Sequence, residues 1–156
     1  MELRGLDKNA LEGFAARLAS RLEAGDVLVL SGEVGTGKTT FTRAACAALG
    51  VEERVTSPTY QLARSYDPQG EERERRGIER VNHLDLYRVG DLPPEDALDL
   101  DEYLTPRSVT FVEWAEPAAS ALPAEPSVLL FRHEDEARRG LTLQGPLARR
   151  LGGDPC

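Results

Sequence analysis

Apolar residues return along this chain at two spacings, and each change of spacing marks a new element. Leu11, Phe14, Ala15, Leu18 and Leu22 fall on one face at helical spacing. Asp7 stands where such a helix takes its N-cap, and Gly25 where it stops. Asp26–Ser31 (DVLVLS) is instead a continuous, β-rich apolar run, the pattern of a buried strand. Glycines follow, and Thr39–Leu49 is again helix-forming, ending at Gly50.

Val55–Tyr66 opens as a loop at Ser57-Pro58 and continues as a strand. Asp67–Ile78 is mostly polar, and its charge run Glu71–Arg76 reads as a solvated loop. Glu79–Arg88 is the next strand, so this polar connection predicts an antiparallel hairpin. Pro93–Leu104 (PPEDALDLDEYL) reads as a helix, with proline early and acids near its start. Val109–Trp114 (VTFVEW) is a further buried strand, and Ala115–Leu122 a short helix closed by Pro123. Val128–His133 and Leu141–Gln144 are two last strands around the charged turn Glu134–Gly140. The expected fold is α/β and P-loop NTPase-like, a mainly parallel central sheet with antiparallel additions, flanked by helices. One domain is expected over 1–150 and a disordered tail over 151–156, with Gly152–Cys156 frayed.

Composition narrows the functional classes. A chain of 156 residues can bury roughly 70% of its unfolded surface, so its core needs no staples. The two cysteines, Cys46 and Cys156, suggest neither a zinc site nor a disulfide framework, and Cys46 reads as a small core residue. No apolar run approaches the roughly 20 residues that cross a bilayer. Met-Glu-Leu-Arg-Gly lacks the plan of a signal peptide, so a cytoplasmic protein is expected. The 19 basic and 27 acidic residues give −8, a charge that opposes a direct grip on nucleic acid. Nearly all the positive charge is arginine; the two lysines are Lys8 and Lys38.

Lys38 lies in the strongest motif of the chain. Gly32-Glu33-Val34-Gly35-Thr36-Gly37-Lys38-Thr39 satisfies G-x-x-x-x-G-K-S/T, with a strand before it and a helix after it. Glycines at Gly32, Gly35 and Gly37 let successive backbone N–H groups point at phosphate oxygens. The helix N-terminus adds about half a positive charge at the same place. Lys38 is expected to reach the β- and γ-phosphates of a nucleoside triphosphate, and the Thr39 hydroxyl to ligate Mg²⁺.

Such a loop needs a carboxylate at the end of a buried strand. Two qualify: Glu113 after Val109–Val112, and Asp85 after Val81–Leu84. Composition does not rank them. Trp114, the only tryptophan, is either core or a wall of the site. His83 reads as structural and His133 as a surface residue. No Asn-Lys-x-Asp element occurs, which counts against a G protein.

The motifs together resemble the bacterial TsaE (YjeE) family of ATPases in tRNA threonylcarbamoyladenosine biosynthesis. The matching pieces are Gly32–Thr40, Thr56-Ser57-Pro58-Thr59-Tyr60, His83-Leu84-Asp85-Leu86-Tyr87-Arg88 and Val112-Glu113-Trp114. They cover roughly Leu11–Pro123, whereas the 67–78 connection and the stretch after Gly145 carry no family motif. The resemblance implies ATP and Mg²⁺ as ligands, held by Glu33, Val34, Gly35, Thr36, Gly37, Lys38, Thr39 and Thr40. It places Ser57, Pro58 and Thr59 in a switch-like loop facing the γ-phosphate, and Trp114 beside the nucleotide. It makes Asp85 an acid needed for hydrolysis alongside Lys38, and has Glu113 hold Mg²⁺ with Thr39. It also implies partner proteins that transfer threonylcarbamoyl to adenosine 37 of ANN-decoding tRNAs, with tRNA reached only indirectly.

Two other readings remain open on the residues alone. A small-molecule kinase would use the same loop, with Arg138 and Arg139 as lid arginines. A nucleotide-dependent switch would bind without appreciable hydrolysis.

Overall fold

The computed structural model describes residues 1–56, 62–86, 99–116 and 119–152. In chain order its elements are β1 (Glu2–Leu6), α1 (Lys8–Ala19), β2 (Val27–Ser31), α2 (Lys38–Ala48), β3 (Ala63–Tyr66), α3 (Glu71–Arg76), β4 (Arg80–Asp85), β5 (Ser108–Glu113), β6 (Ser127–His133), β7 (Arg139–Gln144) and α4 (Pro146–Gly152). The strands make one sheet in the order β1-β7-β6-β2-β5-β4-β3. Its middle is parallel: β2 runs alongside β6 and β5, and β5 alongside β4. Both margins are antiparallel, β3 on β4 at one side and β6, β7 and β1 at the other. This is the mainly parallel sheet with antiparallel additions that the sequence predicts.

Burial explains why the middle strands read as unbroken apolar runs. Every residue of β5 is buried, because its two sheet faces are both covered. On one face Leu28, Leu30, Val81, Val109, Phe111, Leu129 and Phe131 join a core with Leu11, Phe14, Leu18, Phe41 and Cys46 of α1 and α2. Phe41 centres it, with ring centroids 6.4, 6.2 and 5.7 Å from Phe14, Phe111 and Phe131. Burial pushes the Cys46 thiol up to about 12, so it packs as a small apolar residue, as expected. On the other face Leu84, Leu86 and Val112 form a smaller cluster against Leu100, Tyr103 and Leu122. Asn82 is fully buried there and spends its amide on Tyr103 O (2.8 Å), Thr110 Oγ1 (3.2 Å) and the Ser65 hydroxyl (2.8 Å).

Asp7 caps α1 as predicted, its Oδ1 accepting from the Ala10 N–H at 2.8 Å. Several elements differ from expectation. The charge run expected to be a loop forms α3, supported by an Arg75–Glu71 pair one turn apart at 3.3 Å. Its Arg76 donates to the Ala19 (2.7 Å) and Leu22 carbonyls, closing the end of α1. β1 was not foreseen: only Leu3 and Leu6 are apolar in it, and it exists by pairing with β7. α4 was not foreseen either. Leu147 and Leu151 bury against the core and hold it there. Half of the helix predicted over Pro93–Leu104 lies outside the described residues, and Leu100–Glu102 is a single 3₁₀ turn capped by Asp99. Residues 117–118 and 153–156 also lie outside.

The two ends of the parallel strands differ in character. Before the strands begin, ion pairs tie the loops together: Arg150 to Asp26 at 2.6 Å, Arg149 to Glu125 at 2.8 Å and Arg107 to Glu79 at 2.7 Å. Where the strands end lie the glycine loop, Asp85 and Glu113. Among the described residues no helix is long and apolar enough to cross a membrane.

Candidate functional site

β2 delivers the chain to Gly32, whose φ of +148° lets it turn under β6. A Cβ there would lie 2.8 Å from the Phe131 carbonyl oxygen and 3.0 Å from Thr36 Oγ1. The loop is drawn together by the Thr36 hydroxyl, which donates to Glu33 O at 2.6 Å. Val34 is its exposed tip. Gly37, at φ +102°, occupies the N-cap of α2, where a Cβ would meet Leu11 Cδ2 at 2.8 Å. With no side chain capping the helix, its first N–H groups remain available to an anion. Lys38 follows immediately. Its ammonium is nearly buried and donates to Gly32 O at 2.6 Å, folding back over the loop.

The strand ends supply the opposite charge. Glu113 is the last residue of β5 and only 5% exposed. Its Oε1 lies 3.6 Å from Lys38 Nζ and its Oε2 2.7 Å from His83 Nε2. Burial pushes the Glu113 carboxyl up, but the hydrogen bond and pull of His83 and the charge of Lys38 outweigh it, holding the carboxyl below its ordinary value. Asp85 is its register partner at the end of β4. Trp114 comes next in the chain at φ +56°, a left-handed conformation that ends the strand. The residue is 40% exposed, and its ring centroid lies 5.5 Å from Lys38 Nζ. Trp114 therefore lies outside the buried core.

These groups face one cavity of about 620 Å³. Val34, Gly35, Gly37, Lys38, Thr39 and Thr40 form its floor, with Asp85, Glu113 and Trp114 at one side. Thr36 is buried inside the loop, and Glu33 faces an adjoining hollow instead. Ser57, Pro58 and Thr59 lie outside the described residues. Two further walls complete the cavity: Leu6, Asp7, Lys8 and Leu11 at the start of α1, and Glu136, Ala137 and Arg139 at the β6–β7 turn, of which the sequence singles out only Arg139, as a lid arginine of the kinase reading. Arg139 donates to Gly35 O at 3.3 Å. The N-cap pattern at Asp7 and the charged turn were visible in sequence, but nothing local ties either to the loop. Arg43 is engaged with Val55 O at 2.9 Å, and Arg64 is exposed on β3.

The donor set suits a hard divalent cation. Glu113 offers an ionised carboxylate and Thr39 a hydroxyl in the same cavity. Among the described residues no cluster of three or more His, Cys, Asp or Glu could hold a metal alone. One or two protein oxygens completed by phosphates are what Mg²⁺ uses beside a nucleotide.

The fold is of the P-loop NTPase-like α/β class. The sequence model of one family, described as "Threonylcarbamoyl adenosine biosynthesis protein TsaE", matches residues 6–141. The chain belongs to the TsaE family. A Bacillus subtilis protein named tRNA threonylcarbamoyladenosine biosynthesis protein TsaE is 31% identical over 142 residues, 91% of this chain and 84% of that protein. Proteins of the same name are 42% identical over 113 residues in Mycobacterium tuberculosis and 48% over 101 in Streptomyces coelicolor. Those matches span 64% of the length of each. A crystal structure of Bacillus subtilis YdiB resembles the fold with a TM-score of 0.77 at 26% identity, covering 98% of this chain and 94% of that one.

Proposed function

We propose that this chain binds ATP with Mg²⁺ in the cavity above Lys38 and hydrolyses it slowly, in support of partner proteins that place threonylcarbamoyl on adenosine 37 of ANN-decoding tRNAs. The observation that carries the reading is Lys38, bonded to the loop carbonyl of Gly32 and 3.6 Å from Glu113 at the open N-terminus of α2. Membership of a family whose relatives are named for tRNA threonylcarbamoyladenosine biosynthesis supplies the biological setting.

In this reading the loop N–H groups and Lys38 bind the phosphates. Thr39 and Glu113 hold the cation, which when bound offsets negative charge between the β- and γ-phosphates. Asp85 orients the attacking water, Trp114 lines the nucleotide, and Ser57–Thr59 face the γ-phosphate. Fast turnover also needs a positive charge at the transferring phosphoryl. Arg139 borders the cavity but is committed to Gly35 O and to carbonyls of the 135–138 turn. A partner supplies the missing charge or orders the Ser57–Thr59 loop, a gain that elsewhere reaches about 10³–10⁵. The charge of −8 leaves tRNA to the partners.

The deciding assay measures ATP turnover by the chain alone, with bare tRNA, and with the threonylcarbamoyl-transfer proteins. Turnover should be slow alone, unchanged by tRNA and stimulated by the proteins. Strong stimulation by bare tRNA contradicts the indirect role. No response to the proteins, in turnover or co-purification, favours the small-molecule kinase. Arg139 at the cavity is the one observation on that side, and a screen for phosphoryl transfer to metabolites tests it.

A further inference from the structure

His83 is fully buried in β4, between apolar Leu84 and Asn82, whose amide has its own hydrogen bonds. An imidazole is a poor choice there for packing alone. Among the described residues its Nδ1 has no hydrogen-bond partner, and an unmet buried polar atom costs stability. What the ring does have is a single short bond, Nε2 to Glu113 Oε2 at 2.7 Å. A carboxylate only accepts, so in this bond Nε2 carries the hydrogen.

The contact follows from register. Asp85 pairs with Glu113 and His83 with Phe111 on the adjacent parallel strand. His83 therefore stands one strand over and two residues back from Glu113, on the same face. From that place it reaches the carboxylate from inside the protein, while Lys38 approaches the other oxygen, Oε1, at 3.6 Å. The two oxygens thus have separate partners on separate sides.

We propose that His83 is a positioning residue: by holding Oε2, it fixes the rotation of the Glu113 carboxylate and keeps Oε1 turned to Lys38 and the cavity. This rests on the nucleotide reading above. Without the inner bond, the Glu113 carboxylate is free to rotate, and Oε1 is no longer held toward the cation. His83 touches neither nucleotide nor cation itself. Losing a partner that orients a metal-binding side chain typically weakens metal affinity about 10–100-fold.

The test compares wild type, His83→Leu and His83→Gln by calorimetric titration of a non-hydrolysable ATP analogue at graded Mg²⁺, with Trp114 emission as a second signal and the unfolding midpoint as a control. His83→Leu should bind the analogue without Mg²⁺ as wild type does, but need about tenfold or more Mg²⁺ to reach the tight complex. His83→Gln, which keeps an N–H donor, should recover most of the Mg²⁺ response. In a Glu113→Gln background, His83→Leu should add nothing further to the Mg²⁺ requirement, because its effect passes through that carboxylate. A wild-type Mg²⁺ dependence in His83→Leu overturns the proposal. So does a loss of metal-free binding that tracks the unfolding midpoint, which marks a purely structural histidine. If His83→Leu does not fold, His83→Gln decides: a Mg²⁺ response as poor as that of Glu113→Gln, in a variant of normal midpoint, overturns it. Failure of wild type to bind the analogue under any condition overturns the nucleotide reading and this inference with it; wild-type binding with an unshifted His83→Leu overturns this inference only.

Discussion

Lys38 is held three ways before any ligand arrives: by the Gly32 carbonyl, the Glu113 carboxylate and the face of Trp114. A triphosphate that takes the ammonium must loosen its contact with the indole ring. Trp114 emission should therefore change on adding ATP and saturate with binding, since it is the only tryptophan. Lys38→Ala should nearly abolish both the affinity seen by calorimetry and the emission change. Hydrogen bonds to charged groups are worth about 1.5–3 kcal/mol each, and this side chain is expected to make more than one. Unchanged affinity would remove the phosphate site from this loop. Glu113 gives a separate signature in pH. Its folded value lies below the 4.5 of an ordinary glutamate. A depressed carboxylate contributes stability that is present above about 4.5 and is lost as pH falls through the folded value. Urea unfolding between pH 7 and 3 should show that loss in wild type and a flatter acid limb in Glu113→Gln. Equal acid limbs would assign the titration to other carboxylates.

Among the elements, the glycine loop was legible because its signal is local: eight consecutive residues between a buried run and a helical face. Its tolerances can be stated. Gly32→Ala must move the loop off the backbone of β6, because the new methyl would sit 2.8 Å from Phe131 O. Overpacking of this kind costs about 1–3 kcal/mol, and the displaced loop should also lose triphosphate affinity; retention of both by calorimetry and denaturation would contradict the geometry. Elements that draw their stability from elsewhere were not legible. β1 has two half-buried leucines and depends on β7; α4 places Leu147 and Leu151 against a core assembled from the rest of the chain. The charge run over Glu71–Arg76 reads as solvent-facing, and it is, yet Arg76 makes it a cap for α1 more than fifty residues earlier. The job of His83 was hidden for the same reason. Its partner is thirty residues away, and only the register of β4 on β5 brings the two together. The cavity walls from Asp7 and Arg139 likewise come from opposite ends of the chain.

At the scale of the whole molecule, the sheet keeps its two edges apart. The carboxyl ends of the parallel strands carry the glycine loop, Asp85 and Glu113; the amino ends carry the ion pairs that tie one loop to the next. Arg150 is the best buried of these cations. It donates to Asp26 at 2.6 Å and to the Arg21 carbonyl at 2.9 Å, and its side chain is 28% exposed. Arg150→Ala should lower the unfolding free energy by about 1–2 kcal/mol, between the worth of an exposed pair and that of a shielded charged hydrogen bond. It should leave triphosphate affinity unaltered, which calorimetry and denaturant titration check together. In many proteins a sturdier variant is a slower one, because the groups that would be improved are those that must stay strained for function. Here the strained residues, Leu62 at φ +60° beside Asp85 and Trp114 at φ +56°, and the crowded charges lie on one margin of the sheet, while the contacts most open to improvement lie on the other. A selection for thermal tolerance applied to this chain should accumulate its changes around Asp26, Glu79, Arg107 and Glu125 and leave triphosphate affinity as it found it, so that durability and binding vary as separate traits.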